Sequence, residues 1–398
     1  MIIEIHGAGF QNKGAELMLR TVVNELRHRL PKFVPTIDPS YGSYESRAEL
    51  GLRQMIPTRF HVSKADFTKR FLRQKLFAAS NIEKFAAKIG GIPLSNYGCT
   101  SLNQTEALID IAGFAYTDEW GYRPTQHFAQ LTDYYSSKNR PVILLPQAFG
   151  PFQSDEIKTA FKKVINNASI IFPRDKISYQ NVMELASDSS KVLQVPDITL
   201  FYSASKKIKL DSNSNYACLV PNCRMLDQGK DKWGDKYESY LIKIAEEIMS
   251  HGVQVRILVH DTSGQDLSLA KKLASRLTSP NVVIVNEPNP VELKRIVGES
   301  LILIGSRYHS LVASFSQKVP ALALGWSHKY EMLFQEFKQE RFLISDQTSL
   351  DTVLTLTREL INKEKNMQLR QIIFEELQKM QIENEKMWEI VVNLLKKK

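Results

Sequence analysis

Short apolar stretches of strand length alternate with amphipathic helical stretches along most of this chain, and this alternation limits the fold most strongly. The first series has a helix over Ala15–Arg29 and strands at Met1–His6, Ala107–Ile111, Val142–Leu145, Ile170–Phe172 and Val192–Val195. The second has helices over Tyr237–Ser250 and Leu267–Leu277 and strands at Ala217–Val220, Val253–Val259, Val282–Val285, Leu301–Ile304 and Ala321–Leu324. Alternation of this kind is typical of parallel sheets with crossover helices. It predicts an α/β protein.

The length and a polar gap between the two series predict two domains. A chain of 398 residues exceeds what one hydrophobic core normally supports. The gap Ser203–Asn215, rich in Ser, Lys and Asn, is the predicted linker. We therefore expect two doubly wound, Rossmann-like domains facing a cleft, over 1–205 and 206–345, and C-terminal helices over 346–398 that could pack back on the first domain.

The charge balance favours anionic partners. Lys and Arg number 52 against 43 Asp and Glu, a net charge of +9, with basic stretches at Lys64–Lys88 and Lys396–Lys398. No zinc-finger spacing or RNP-like aromatic pattern is present, so nucleic acid is not the expected partner. Small anions, or peripheral contact with an anionic membrane, remain as expectations, beside the alternative of an ordinary solvated basic surface.

The cysteines and the N-terminal residues bear on the compartment. Three cysteines, Cys99, Cys218 and Cys223, predict neither a disulfide framework nor a structural metal. Met1–Gly9 has no basic leader before an apolar stretch, and no apolar run is long enough to span a membrane. The expectation is a cytoplasmic protein, which could be peripheral at the inner face of the membrane.

The segment Leu301–Gly325 contains the clearest candidate site. An apolar strand runs into Ser306, Arg307, Tyr308 and His309, and a helix of small and apolar residues follows. A helix start offers backbone N–H groups and a positive dipole end to an anion, and arginine adds a bidentate donor. Alternatively, His309 caps the helix and Arg307 pairs with a neighbouring acid.

Three other loops follow predicted strands. Arg174 comes just after one strand, although Asp175 could be a helix N-cap and Arg174 a surface charge. Gln147 begins a Pro/Gly-rich turn that either lines a substrate or is only a turn. The first loop matches neither a dinucleotide fingerprint nor a P-loop, but Asn12 and Gly14 at its helix start could hold an acceptor or a phosphate.

The loop Asp110–Gly121 combines acids with aromatic residues. A sugar stacks its C–H face on an aromatic ring while its hydroxyls bond to carboxylates, so Trp120 is a candidate sugar platform and Asp118 or Glu119 a candidate base. The alternative is an ordinary loop with a buried Trp120. A metal site or a serine hydrolase is not expected, because Asp-x-Asp, His-x3-His and Gly-x-Ser-x-Gly patterns do not occur.

Six motifs over Met1–Lys329, taken in order, resemble the polysaccharide pyruvyltransferase family. They are NKGAEL at Asn12–Leu17, DIAGFAY at Asp110–Tyr116, LPQAFGPF at Leu145–Phe152, FPRDKIS at Phe172–Ser178, PDITL at Pro196–Leu200 and SRYHSLVAS at Ser306–Ser314. One departure is Ala15, where many relatives carry Asp; Glu16 is the nearest substitute for that carboxylate.

The resemblance implies a GT-B-like fold and transfer of a pyruvyl group from phosphoenolpyruvate to a sugar, usually as a cyclic ketal. It places the acceptor on the first domain and the donor on the second. The family's Arg-x-His donor motif falls on Arg307, Tyr308 and His309, and its earlier arginine on Arg174. No cofactor is expected beyond phosphoenolpyruvate as donor substrate. The main alternatives are a GT-B glycosyltransferase using a nucleotide sugar, with Glu331 as the candidate ribose ligand, and a non-catalytic binding protein.

Overall fold

The computed structural model describes residues 1–7, 9–10, 12–56, 94–202, 215–227, 233–234, 236–261, 264–325 and 328–397. The chain divides into two compact units. The first comprises Met1–Phe10, Met18–Pro196 and Glu385–Lys398, and the second comprises Gln11–Leu17 and Asp197–Asn384. The predicted linker, apart from Asn215, and the basic segment Lys64–Lys88 lie outside the described residues.

The first unit contains a seven-stranded parallel sheet in the order β4-β3-β2-β1-β5-β6-β7. Its strands are β1 (Ile2–His6), β2 (Val34–Ile37), β3 (Arg53–Met55), β4 (Cys99–Thr100), β5 (Ala107–Asp110), β6 (Val142–Gln147) and β7 (Ile170–Pro173). Its helices are α2 (Tyr44–Glu49), α3 (Tyr122–Ser136), α4 (Asp155–Asn167) and α5 (Lys176–Met183), together with most of α1 (Lys13–Arg29). Strands β5, β6 and β7 are buried along their whole length, as expected of a parallel sheet covered on both faces.

The second unit contains a six-stranded parallel sheet in the order β10-β9-β8-β11-β12-β13. Its strands are β8 (Tyr216–Val220), β9 (Gln254–Leu258), β10 (Val282–Val285), β11 (Leu303–Gly305), β12 (Ala321–Leu324) and β13 (Leu343–Ile344). Its helices are α6 (Lys236–Ser250), α7 (Gln265–Leu277), α8 (Pro290–Gly298), α9 (Tyr308–Ser316), α10 (His328–Glu336) and α11 (Leu350–Ile361). The last helix, α12 (Lys363–Lys396), contributes to the cores of both units.

Two Rossmann-like α/β units confirm the predicted fold class, and the strongly apolar strands lie where the sequence predicts them. The predicted strand Val192–Val195 is wrong. Leu193 and Val195 donate backbone hydrogen bonds to Ile171 and Pro173, but only Val192 forms a bridge, and Pro196 follows at once. Four short strands, β2, β3, β4 and β13, were not predicted, because the first three contain polar residues or proline and β13 has only two residues.

The unit boundary falls between Pro196 and Asp197. Asp197 caps the 3-10 helix Ile198–Phe201 by accepting hydrogen bonds from the Thr199 amide and hydroxyl, at 2.9 and 2.7 Å. Leu200 of this helix packs in the core of the second unit. Among the described residues, no helix is both long and apolar enough to cross a membrane.

Candidate functional site

Each sheet has one point at which the strand order reverses. In the first sheet the chain runs from β1 outward to β4 and then returns to β5, on the other side of β1. In the second sheet it runs from β8 to β10 and then returns to β11, on the other side of β8. Ligands of open α/β sheets bind beyond the carboxyl ends of the strands at such points. The reversals therefore mark one candidate position in each unit.

In the second unit, the reversal lies beside the predicted SRYH segment. Ser306 follows β11 and donates its amide to Val220 of β8 at 3.1 Å, and its carbonyl accepts from the Asn222 amide group and the Tyr330 hydroxyl at 2.9 and 2.7 Å. The buried Ser306 thus connects the end of β8, the loop that follows it and α10 through its backbone. Arg307 is the N-cap residue of α9, and Tyr308 and His309 form its first turn.

Arg307 is held by a buried acid in the first turn of α7. Its Nε and Nη2 donate to the two carboxylate oxygens of Asp266 at 2.9 and 2.6 Å, and Nη1 lies 3.7 Å from Asp261. Asp266 is fully buried and also accepts from the Cys223 amide at 3.1 Å. Burial disfavours the charged guanidinium, but the hydrogen bonds and the charge of Asp266 outweigh it and raise the pKa of Arg307. The arginine therefore pairs with an acid, which also orients it.

His309 packs directly against Gly14 of α1. A Cβ atom at Gly14 would lie 2.1 Å from His309 Cγ and 2.2 Å from its Nδ1, so this approach requires glycine. Lys13, His260 and His309 line one narrow pocket, and Lys13 Nζ donates to the carbonyl of Pro288. Burial, assisted by the positive charges of Arg307, His309 and Lys13, lowers the pKa of His260 well below its ordinary value. The second unit thus gathers four basic side chains at one sheet edge.

Asn12 has a clear structural role at the start of α1. Its side-chain oxygen accepts from the amides of Gly14 and Ala15 at 2.8 and 3.4 Å, which caps the helix. Its backbone forms an antiparallel bridge with Asp261. Asn12 and Gly14 are therefore close to Arg307 and His309, as members of the same unit.

In the first unit, the reversal between β1 and β5 holds a hydrogen-bonded cluster around Asp110. His6 Nδ1 lies 2.7 Å from Asp110 Oδ1, the Tyr116 hydroxyl donates to the same oxygen at 2.8 Å, and Gln147 Nε2 donates to Oδ2 at 2.5 Å. Burial and the charge of Asp110 raise the pKa of Tyr116 well above its ordinary value, so Tyr116 remains a donor. Gln147, a predicted acceptor ligand, is fully buried and contacts this carboxylate.

Arg174 is buried, contrary to the alternative of a surface charge. Its side chain is about 3% exposed, its Nε lies 4.0 Å from Asp175, and its amide donates to the Gln147 carbonyl at 3.0 Å. Asp175 is the N-cap of α5, accepting from the Ser178 amide at 2.7 Å.

The three candidate residues in the loop Asp110–Gly121 of the first unit differ in their hydrogen bonds and in their exposure. Asp118 accepts from the amides of Gln153 and Ser154 at 2.6 and 3.0 Å, and these bonds lower its pKa despite partial burial. This arrangement favours a structural role for Asp118. Glu119 is exposed, and Trp120 is 54% exposed, so the alternative of a buried tryptophan is wrong. An exposed indole remains available for stacking.

Several residues of both clusters were not predicted. They are His6, His260 and Asp266. A usable signal existed for His6 and His260, because polar residues at or just after the ends of apolar strands fall at the ligand edge of a parallel sheet, whereas Asp266 lies inside α7. Within the described part of the chain, no group of three or more histidine, cysteine or acidic side chains is arranged to hold a metal ion.

Comparison with known proteins agrees with this architecture. A family model described as polysaccharide pyruvyl transferase matches residues 12–328. The amylovoran biosynthesis protein AmsJ of Erwinia amylovora is 22% identical over 247 residues, which is 57% of this chain and 58% of AmsJ. The chain thus matches little more than half the length of this curated relative.

Solved structures with a similar fold include UDP-GlcNAc 2-epimerase from Neisseria meningitidis bound to UDP-GlcNAc, with a TM-score of 0.56 and 10% identity over 95% of this chain and 99% of that one. Anabaena Alr3699/HepE in complex with UDP-glucose has a TM-score of 0.56 and 10% identity over 98% of this chain and 99% of that one. At this identity the likeness concerns the fold alone, and it confirms the predicted GT-B-like class.

Proposed function

Because this chain belongs to the polysaccharide pyruvyl transferase family, we propose that it transfers a pyruvyl group from phosphoenolpyruvate to a sugar of a polysaccharide or of its lipid-linked precursor. The product is a ketal on two sugar hydroxyls. Pyruvyl transfer in polysaccharide biosynthesis is the property of the family; the donor, the ketal and the residue roles below are our proposal.

The observation that carries the donor assignment is the basic cluster of the second unit. Lys13, His260 and His309 line one pocket, and Asp266 orients Arg307 at the N-terminus of α9. Phosphoenolpyruvate bears a carboxylate and a phosphate, and its recognition requires several donors and a favourable dipole. In our proposal Ser306, Arg307, Tyr308 and His309 bind the donor, and Arg174 is a further donor ligand.

The proposed chemistry begins with protonation of the donor. His309 donates a proton to C3 of phosphoenolpyruvate, which becomes the methyl group, while C2 becomes oxocarbenium-like. One sugar hydroxyl attacks C2, and a second hydroxyl then displaces phosphate. The arginines balance the anionic charge of the donor and of the departing phosphate. Since His309 is half-buried against Gly14, its ring has a defined orientation for this transfer.

For the acceptor, the proposal relies on the exposed Trp120 as a stacking surface and on Gln147, Asn12 and Gly14 as groups that shape the binding loops. Trp120→Ala is expected to raise the KM for a sugar acceptor without changing phosphoenolpyruvate binding, because the indole supplies an apolar face only.

The net charge of +9 supports a peripheral membrane contact that would suit a lipid-linked acceptor. Sedimentation with anionic vesicles at low salt tests that contact, and unbound protein would contradict it.

The deciding experiment is a thermal-shift titration with phosphoenolpyruvate, beside inorganic phosphate, pyruvate and UDP-glucose. A ligand at a hundred times its Kd stabilises the native state by roughly 2.7 kcal/mol, a readable shift. Phosphoenolpyruvate should stabilise the protein, and Arg307→Lys should weaken this effect, because lysine keeps the charge but loses the bidentate geometry.

Arg224→Lys is the matched control, since Arg224 lies in the same unit but pairs with Asp227 at the exposed surface. It should bind phosphoenolpyruvate like the unaltered protein. Stabilisation by UDP-glucose alone would contradict pyruvyl transfer and favour a nucleotide-sugar enzyme.

A further inference from the structure

His6 and Asp110 are neighbours across the central strands of the first sheet. They are paired in the register of β1 and β5, and both are the last residues of their strands. The next residue, Gly7, has a φ of 78°, and a Cβ there would lie 2.5 Å from the Ala112 backbone. This close approach of the two loops holds the two strand ends together, at the reversal point of the sheet.

The hydrogen bonds around Asp110 determine the state of the His6 ring. A carboxylate can only accept, and Asp110 meets donors from Tyr116 and Gln147 as well as from His6. His6 Nδ1 therefore carries a proton, and Nε2 of the neutral ring is the nitrogen with an available lone pair. An Asp–His pair of this kind is the usual way to hold an imidazole in the tautomer that acts as a base.

Packing gives the ring a fixed plane while leaving part of it accessible. The His6 ring stacks on Phe128 with centroids 4.9 Å apart and an interplanar angle of 23°. Its side chain is 20% exposed, whereas Asp110 is fully buried. The acid therefore lies in the core, and the histidine side chain keeps a solvent-accessible part.

We propose that His6 is the general base that accepts the proton of the attacking acceptor hydroxyl, with Asp110 as its positioning residue. The inference rests on the proposed function and assigns its base. Of the acids considered from the sequence, Asp118 uses both oxygens to accept backbone amides, and Glu119 is exposed. His6 lies at the sheet reversal, and its ring is oriented by the buried carboxylate of Asp110.

The acceptor O–H bond breaks, its proton moves to His6 Nε2, and the hydroxyl oxygen bonds to C2 of the donor as C3 receives a proton from an acid. In the second step the other hydroxyl oxygen bonds to C2, and the C2–O bond to phosphate breaks. The proton of this second hydroxyl leaves with the phosphate. His6 then releases its proton to solvent and the acid regains one from solvent, so the first hydroxyl proton offsets the one given to C3, and the second appears on inorganic phosphate.

The test is His6→Asn, measured by phosphate release from phosphoenolpyruvate with a panel of methyl glycosides of glucose, galactose, mannose and N-acetylglucosamine. Asparagine can place an amide N–H near the position of Nδ1 and keep the bond to Asp110, but it offers no basic nitrogen. We expect kcat to fall by about 10²–10⁴-fold, with the thermal shift by phosphoenolpyruvate unchanged. In His6→Ala, added imidazole should restore part of the rate.

His251→Asn is the matched control, because His251 is an exposed histidine beside Glu247 in the other unit. Its kcat should equal that of the unaltered protein. If His6→Asn retains full kcat, or if Glu119→Gln loses the activity instead, the inference is overturned while the proposed function stands. If the unaltered protein releases no phosphate with any glycoside, the proposed function fails, and the inference fails with it.

Discussion

Arg307 has one observed structural role and one proposed role, and experiments must separate the two. It is the proposed donor ligand, and it also neutralises the fully buried Asp266 through two hydrogen bonds. Removing one partner of a buried pair leaves the other charge uncompensated, which costs far more than an exposed ion pair contributes. An alanine substitution would therefore confuse loss of binding with loss of stability.

We predict that Arg307→Ala lowers the free energy of unfolding by about 3–5 kcal/mol, whereas Arg224→Ala lowers it by less than about 1 kcal/mol. Arg224 pairs with Asp227 at 2.8 Å, but both side chains are about half exposed. Urea unfolding of the two variants measures the difference. Similar midpoints for both would show that the Asp266 pair is not buried as described.

Gly14 is a second residue at which a small substitution, the addition of one methyl group, is expected to lower stability. A methyl group there would overlap the His309 ring, and overpacking of this kind typically costs about 1–3 kcal/mol. We predict that Gly14→Ala destabilises the protein and that the same substitution in a His309→Ala background costs much less. A double-mutant cycle by urea unfolding checks this. Additive effects would contradict direct packing of the two residues.

At the scale of elements, α8 is anchored to the segment that follows the unit boundary. Lys294 of α8 is buried and donates to the carbonyls of Thr199 and Tyr202 at 2.6 and 2.7 Å. Burial lowers the pKa of Lys294 to about 7, and the carboxylate of Asp197 offsets only part of this. The amine thus loses its proton far more readily in the folded chain than in the unfolded one.

This difference predicts a pH dependence of stability. Between about pH 7 and pH 10.5 the unfolded chain holds the Lys294 proton and the folded chain does not, so this residue makes stability rise with pH. The stability of the unaltered protein relative to Lys294→Met should increase by about 2–3 kcal/mol from pH 7.5 to 9.5. Lys243→Met, at an exposed lysine, should show no such change. A relative stability that is constant with pH would mean that Lys294 stays charged.

At the scale of the whole molecule, the two units are not continuous in sequence. The first includes Glu385–Lys398, the end of α12, and the residues of α12 before Glu385 belong to the second. Trp388 is fully buried, as are Met387 and Val391 beside it. The core of the first unit therefore includes residues that are separated in sequence from the rest of that unit by Asp197–Asn384.

We predict that Trp388→Ala lowers the free energy of unfolding by about 3–5 kcal/mol through loss of buried apolar contacts. Trp120→Ala, at an exposed tryptophan of the same unit, should change it by less than about 0.5 kcal/mol. Urea unfolding and near-ultraviolet circular dichroism of both variants provide the measurement. Equal stabilities would show that the C-terminal helix does not complete this core.

The elements with strong local signals could be predicted from the sequence. Apolar strands such as β6 and β12 and long amphipathic helices such as α6 lie within one or two residues of their predicted bounds. The short strands β4 and β13 could not be predicted, because their two residues are extended only by pairing with a distant neighbour. The same limit applies to Val192–Val195, where local composition favours a strand that the edge of the sheet does not complete.

Local patterns were sufficient to predict the two α/β series, the position of Ser306–His309 at a helix start and the family to which the motifs belong. The partners of the site residues, in contrast, depend on the tertiary fold. Asp266 meets Arg307 from 41 residues away, and Asp110 meets His6 from 104 residues away. Those pairings depend on which strands lie beside each other, and strand order results from packing of the whole sheet, which no local pattern encodes.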